Sequence, residues 1–222
     1  MIRCEPAGAE ALLLVLADEP DGDLPLQIAN LAERIRVALG PLLIDLVPGW
    51  TTLLLHYDLR FTDHHGLAKC LQPLLDNWRS TGAADACMHE IPICYDGEDL
   101  ALVAQACALT EAEVIALHTG RSYRVGAIGF APGFAYLSEL DARLVLPRRA
   151  TPRTRVPAGS LAIAERQTAI YPQASPGGWH LLGRCPWRLF DPARTPPCLL
   201  RIGDRVRFVA IDAVRFKQEE QR

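Results

Sequence analysis

The sequence predicts an α+β domain of ferredoxin-like order over residues 1–90, then a helical connector and an all-β barrel or sandwich over 91–222. Three observations carry this expectation. Strand-length apolar runs and helically spaced stripes alternate as β-α-β-β-α-β up to residue 95, the split arrangement in which two helices cover one face of a four-stranded sheet. Two helix patterns then follow in series. From residue 121 onward the apolar runs shorten and are punctuated by Pro and Gly, the texture of many short strands joined by turns.

Each element has its own signal. "ALLLVLA" (11–17) is a strand-length run; Glu5 and Glu10 stand where a leader peptide would be cationic, so a buried strand is the expected reading. Ile28, Leu31, Ile35 and Leu39 form a helical stripe that Gly40 stops. "LLIDLV" (42–47) and "TTLLLHYD" (51–58) are strands joined at Pro48-Gly49-Trp50. Leu67, Leu71, Leu74 and Trp78 mark a second helix, which Pro73 should kink or shorten. "STGAADA" (80–86) reads as a loop before a fourth strand, "MHEIPICY" (88–95). Residues 99–109 form a connector helix, and a capping box of Thr110 and Glu113 opens another, with Val114, Leu117 and His118 on its stripe and Gly120 at its end.

Composition bounds the function. Half of the 222 residues are apolar and the formal net charge is −3, which argues against a general binder of nucleic acid or membrane surfaces. No run approaches the length of a membrane span, and the chain reads as cytoplasmic. The seven cysteines are scattered without a C-x-x-C pair, and His64, His65 and Cys70 lack the usual ligand spacing, so neither a disulfide framework nor a metal site is expected. There is no G-x-x-x-x-G-K-[ST] loop, G-x-S-x-G elbow or H-E-x-x-H helix, so this chain alone is a poor ATPase candidate.

Three loop-rich segments could carry chemistry. In "GFAPGFAYL" (129–137), Pro132-Gly133 suits the centre of a type II turn. The segment is either a hairpin with Phe130 and Phe134 in the core or a rigid loop lining an apolar pocket. "SPGGWHLLG" (175–183) is a turn anchored by Trp179, whose double glycine lets another group approach the backbone. "PRRATPRTRVPAGS" (147–160) holds four arginines and no carboxylate. Thr151 and Val156 precede prolines and favour an extended chain, which would align Arg149, Arg153 and Arg155 on one side and turn Arg148 away. Such a row could hold an anion in planar forks. It could equally be a solvated edge, or pair with Glu139, Asp141 or a partner. His118, in the last turn of its helix, is by default structural, and becomes a candidate acid or base if that end faces a pocket.

These segments together resemble a known family. "TEAEVIALHTGRSYRVGAIGFAPGFAYL", "LPRRATPRTRVPAGSLAIAERQTAIYPQASPGGWHLLGRCPWRLFDP" and "GDRVRFVAI" are similar to the family of 5-oxoprolinase B subunits, also called allophanate hydrolase subunit 1 or the KipI type. The resemblance is dense over 88–212, and "LVPGWTTLLLHYD" extends it toward the N-terminus. It implies that the second domain is a cyclophilin-like barrel. It also implies a chain that works with the A and C subunits of 5-oxoprolinase, the C subunit being a partner of homologous architecture, to hydrolyse 5-oxoproline to glutamate. ATP would be used by the complex and not bound by this chain alone. The same resemblance admits a KipI-type inhibitor of a sensor histidine kinase, or a urea carboxylase- or allophanate hydrolase-related subunit. For a small anionic lactam, the candidate site residues are Arg149, Arg153 and Arg155 for the anion and Pro132 and Gly133 for the pocket's shape. Gln167, Thr168 and Tyr171 are neutral hydrogen-bonding candidates, and His118 a proton carrier.

Overall fold

A computed structural model describes residues 2–76, 78–79 and 86–221. The loop expected at 80–86 lies, except for Ala86, outside the described residues. The chain divides into two compact units, Met1–Ala86 and Cys87–Arg222.

The first unit contains β1 (Arg3–Pro6), β2 (Ala11–Val15), α1 (Leu24–Leu39), β3 (Leu43–Pro48), β4 (Thr52–Tyr57) and α2 (His64–Leu75). The sheet is antiparallel in the order β1-β2-β4-β3. Alternate residues of β2 and β4 (Leu12, Leu14, Leu53, Leu55, Tyr57) are buried, as strand periodicity requires. They pack in one core with Ile28, Leu31 and Ile35 of α1 and Leu67 and Leu71 of α2. Asp63 caps α2 by accepting from Gly66 N at 2.7 Å, and the helix ends two residues after Pro73, which removes a backbone donor from its last turn.

The sheet's fourth strand is not the expected one. Its edge position belongs to β1, paired from Arg3↔Val15 to Pro6↔Leu12, whereas Met88–Ile93 belongs to the second unit. The hairpin closes locally through Gly8 (φ +112°) and needs no long crossover. All four β1 residues are exposed, so no apolar alternation announced this strand.

The second unit is built from β5 (Met88–Ile93), α3 (Leu100–Ala106), α4 (Glu111–Thr119), β6 (Ser122–Ile128), β7 (Ala135–Ser138), β8 (Arg153–Val156), β9 (Ser160–Ala164), β10 (Gln167–Ile170), β11 (Ser175–Gly177), β12 (His180–Arg184), β13 (Arg205–Ala210) and α5 (Ala213–Glu220). A seven-stranded sheet runs β12-β9-β10-β7-β6-β13-β5, with β5 and β13 parallel, and β8 and β11 form a separate ribbon. β5 joins this sheet because Ile91 and Ile93 bury in the second core, beside Val206 and Phe208.

The end strands of this sheet meet. Just past β5, Cys94 exchanges both backbone hydrogen bonds with Arg184 of β12, at 2.9 and 2.7 Å. Gly183 and Gly97 permit the contact: a Cβ at Gly183 would collide with Cys94 O, and one at Gly97 with Leu181 O. The sheet therefore curls until its edges touch. Leu100, Val103 and Ala104 of α3 and Val114 of α4 share its core, so this is a mixed α/β body rather than an all-β domain. The capping box of Thr110 and Glu113 is formed. No single helix among the described residues is long and apolar enough to cross a membrane.

Candidate functional site

His118 lies in the second core, fully buried, not at a pocket wall. Its ring stacks on Phe208 at 4.8 Å. Thr168 Oγ1 donates to Ala162 O at 3.0 Å, so its contact with His118 Nε2, also 3.0 Å, is one in which the imidazole donates. Nδ1 is then the acceptor, and the Tyr95 hydroxyl donates a hydrogen bond to it at 2.8 Å. Burial holds the ring neutral, with its pKa lowered to about 3. Both nitrogens are satisfied, so the proton-carrier role expected for His118 is replaced by a structural one. Thr168, expected to face a ligand, is the middle of this buried chain, and Gln167 beside it is half-buried.

The arginine row does not form as expected. Asp99, buried just before α3, accepts from Arg149 Nη1 and Arg153 Nη2, each at 2.8 Å on Oδ1, and from Leu181 N on Oδ2 at 2.8 Å. Glu98 adds a 3.2 Å contact to Arg153 Nη2. Burial works against Asp99's ionisation, but the Arg153 bond, the Leu181 N–H and the two positive charges outweigh it and leave its pKa below the ordinary range. Arg155 is exposed. Two of the three forks are therefore neutralised from within their own unit. Sequence reasoning named Glu139 and Asp141 as possible partners and missed Asp99, which it placed at the start of the connector helix and which the structure places just before α3. Its side chain makes no cap bond and turns to the arginines instead.

The arginine expected to point away is the one at a cavity. Arg148 lines a recess of about 100 Å³ whose walls are Phe130, Phe134, Tyr136, Tyr171 and Trp179 and whose rim is Pro176–Gly178. Phe134 is central, with ring centroids 4.8 Å from Tyr136, 5.2 Å from Tyr171 and 5.9 Å from Trp179 in edge-on geometry. Burial raises the Tyr136 and Tyr171 phenols above their usual range, so both remain protonated donors at neutral pH; the Arg148 charge pulls against each rise. Arg148 Nε lies 3.3 Å from Glu165 Oε1, and both side chains are more than half exposed.

The expected turn at Pro132-Gly133 is present: Phe134 N donates to Ala131 O at 3.0 Å, and Gly133 has φ +79°. A Cβ at Gly133 would meet Phe190 Cβ at 2.7 Å. Pro132 is exposed, and Phe134 is the core aromatic. Phe130 is not in the core: it is 64% exposed and held at φ +71°, a left-handed conformation unusual for an aromatic residue. It leans over the recess, 5.2 Å from Phe134 and 6.4 Å from Tyr171.

Magnitudes separate the two kinds of arginine. Removing one member of a buried pair costs about 3–5 kcal/mol, whereas an exposed ion pair contributes about 0–1 kcal/mol. Asp99 belongs to the first class and the Arg148–Glu165 pair to the second. A second, larger recess of about 660 Å³ lies by Trp187 and α5; it carries Arg188 and Arg194 but also Asp191, Glu219 and Glu220, and so has no single sign of charge. Among the described residues no group of three or more His, Cys, Asp or Glu is arranged to hold a metal.

Residues 2–200 match the carboxyltransferase domain, subdomain C and D. The chain is 42% identical over 215 residues to a protein of Escherichia coli O157:H7 named as the B subunit of 5-oxoprolinase, covering 93% of this chain and 95% of that one. A Bacillus subtilis protein of the same name is 35% identical, over 98% of this chain and 97% of that one. The crystal structure of TTHA0988 superposes with a TM-score of 0.82 at 40% identity, over 93% of this chain but only 41% of that longer one. Kluyveromyces lactis urea carboxylase shares the fold, at 19% identity and a TM-score of 0.73, over 98% of this chain and 22% of that one.

Proposed function

Because this chain belongs to the family of 5-oxoprolinase B subunits, we propose that it is a non-autonomous subunit of an ATP-dependent 5-oxoprolinase. With the A and C subunits it would hydrolyse 5-oxo-L-proline to L-glutamate in the cytoplasm. ATP is consumed by the assembled complex rather than held by this chain, and the curled sheet is taken as the cyclophilin-like barrel of the family.

One observation carries the non-autonomous part. The residues that line the recess bind but include no carboxylate or neutral imidazole to take a proton. Arg148 is a cation, both phenols stay protonated, and His118 is spent inside the core, while Glu165, the acid paired with Arg148, is not part of the lining. Opening a lactam breaks its C–N bond and adds water, and the amide must first be activated. Transfer of the ATP γ-phosphoryl group to the lactam oxygen, releasing ADP, would make the carbonyl carbon electrophilic enough for water to attack. The ring C–N bond then breaks as the nitrogen takes a proton and leaves as the amine. A second water cleaves the resulting acyl phosphate to the glutamate carboxylate and inorganic phosphate. The base for the attacking water and the nucleotide site come, on this reading, from the other subunits.

The test is reconstitution. Glutamate formation from 5-oxoproline and ATP should need all three subunits, with none from this chain alone. If the mixture is inert while the lone chain blocks autophosphorylation of a sensor histidine kinase, the regulatory reading replaces this one.

A further inference from the structure

We propose that the recess beside Arg148 binds a small ring-bearing carboxylate, the guanidinium exchanging Glu165 for the ligand's own carboxylate. Among Arg148, Arg149 and Arg153, Arg148 combines a place on a cavity wall with a partner that is cheap to give up. Arg149 and Arg153 are committed to Asp99, whose second oxygen is occupied by a backbone N–H. The exchange conserves charge: one exposed carboxylate leaves the fork as another arrives, so the guanidinium is never stranded.

The ring is accounted for by the walls. Phe134, Tyr171 and Trp179 present edges and faces that suit a flat, weakly polar ring, and the space is that of one small ring rather than a peptide or nucleotide. Phe130 also lines the recess, with its ring largely exposed. A bulky residue kept in left-handed backbone geometry while exposed is strain retained at a working position. The identity of the ring as a lactam rests on the oxoprolinase reading; the requirement for a carboxylate does not.

The test uses the full chain and follows the Trp179 indole N–H by NMR during titration with 5-oxo-L-proline, and separately with 2-pyrrolidinone, the same lactam without the carboxylate. 5-Oxo-L-proline should shift the Trp179 resonance at millimolar concentration, and 2-pyrrolidinone should bind about tenfold more weakly or worse. Arg148→Ala, at an exposed side chain that should fold normally, should weaken 5-oxoproline by about tenfold or more. Glu165→Gln should tighten it by up to about fivefold, because the competing carboxylate is gone. Equal binding of the two lactams, unchanged affinity in Arg148→Ala, or no shift with either compound would overturn the proposal. An assembled enzyme inert toward 5-oxoproline would remove the functional reading instead, and leave the carboxylate requirement to the titration.

Discussion

Asp99 Oδ1 lies 2.8 Å from Arg153 Nη2 and equally 2.8 Å from Arg149 Nη1, so one buried oxygen ties two arginines of the 147–156 segment to the entrance of α3. Its other oxygen fixes the start of β12 through Leu181 N. The carboxylate is thus a keystone among three elements, and the arginines around it are structural.

Asp99→Asn should therefore behave as a stability variant. The amide keeps the shape but faces two guanidinium groups without charge. A loss of about 3 kcal/mol is expected, which for a body of this size lowers the melting temperature by about 6–12 °C. Thermal unfolding followed by circular dichroism measures it; an unchanged midpoint would mean the arginines are held by something else.

His118 sets a pH dependence. Its folded pKa, about 3, lies below the ordinary 6.5, so the unfolded chain takes up this proton first as the pH falls. Stability is full above pH 6.5 and declines below it, approaching a slope of about 1.4 kcal/mol per pH unit. Asp99 works in a lower window, its contribution being complete above the ordinary carboxylate pKa of about 4 and lost below it. Urea midpoints between pH 6.5 and about 4 should fall in the parent chain and flatten in His118→Gln, even if that variant is less stable throughout.

Closure of the curled sheet depends on missing side chains. Gly183→Ala places a methyl against Cys94 O, a backbone atom that cannot step aside, and should cost about 1–3 kcal/mol in urea unfolding. Gly129→Ala, with no atom within 4 Å of its added methyl, should be nearly silent. Equal effects would contradict the edge-to-edge contact.

The two phenylalanines of the turn should part company. Phe134→Ala removes the hub of the aromatic walls and should lose about 3–5 kcal/mol. Phe130→Gly removes an exposed ring and relieves about 1 kcal/mol or more of backbone strain, so it should unfold no earlier than the parent in urea, while binding 5-oxoproline less well.

Much of the fold was legible because burial leaves a period. The stripes of Ile28, Leu31 and Ile35 and of Leu67 and Leu71, and the capping box of Thr110 and Glu113, are local patterns and reappear as written. β1 was not legible, since residues exposed on both faces leave no alternation. Nor could sequence say that "EIPI" pairs with β13, far along the chain and in register at Ala210↔Ile93 and its neighbours, rather than with the first sheet; an apolar run shows that a strand is buried, not in which core. At the site, Pro132-Gly133 was legible as turn chemistry. The arginines were misread because strand alternation shows which residues share a face but not where a carboxylate 50 residues upstream will sit. That contact removed Arg149 and Arg153 from the candidates and left Arg148, the residue alternation had turned outward.

The most direct measurement is kcat/KM for 5-oxo-L-proline in the proposed three-subunit enzyme once reconstituted, comparing Arg148→Ala with Arg155→Ala. If the guanidinium at the aromatic recess holds the substrate's carboxylate, Arg148→Ala loses about tenfold or more, mostly through KM, and Arg155→Ala stays within about twofold of the parent. The reverse order, with Arg155 essential and Arg148 dispensable, would contradict it.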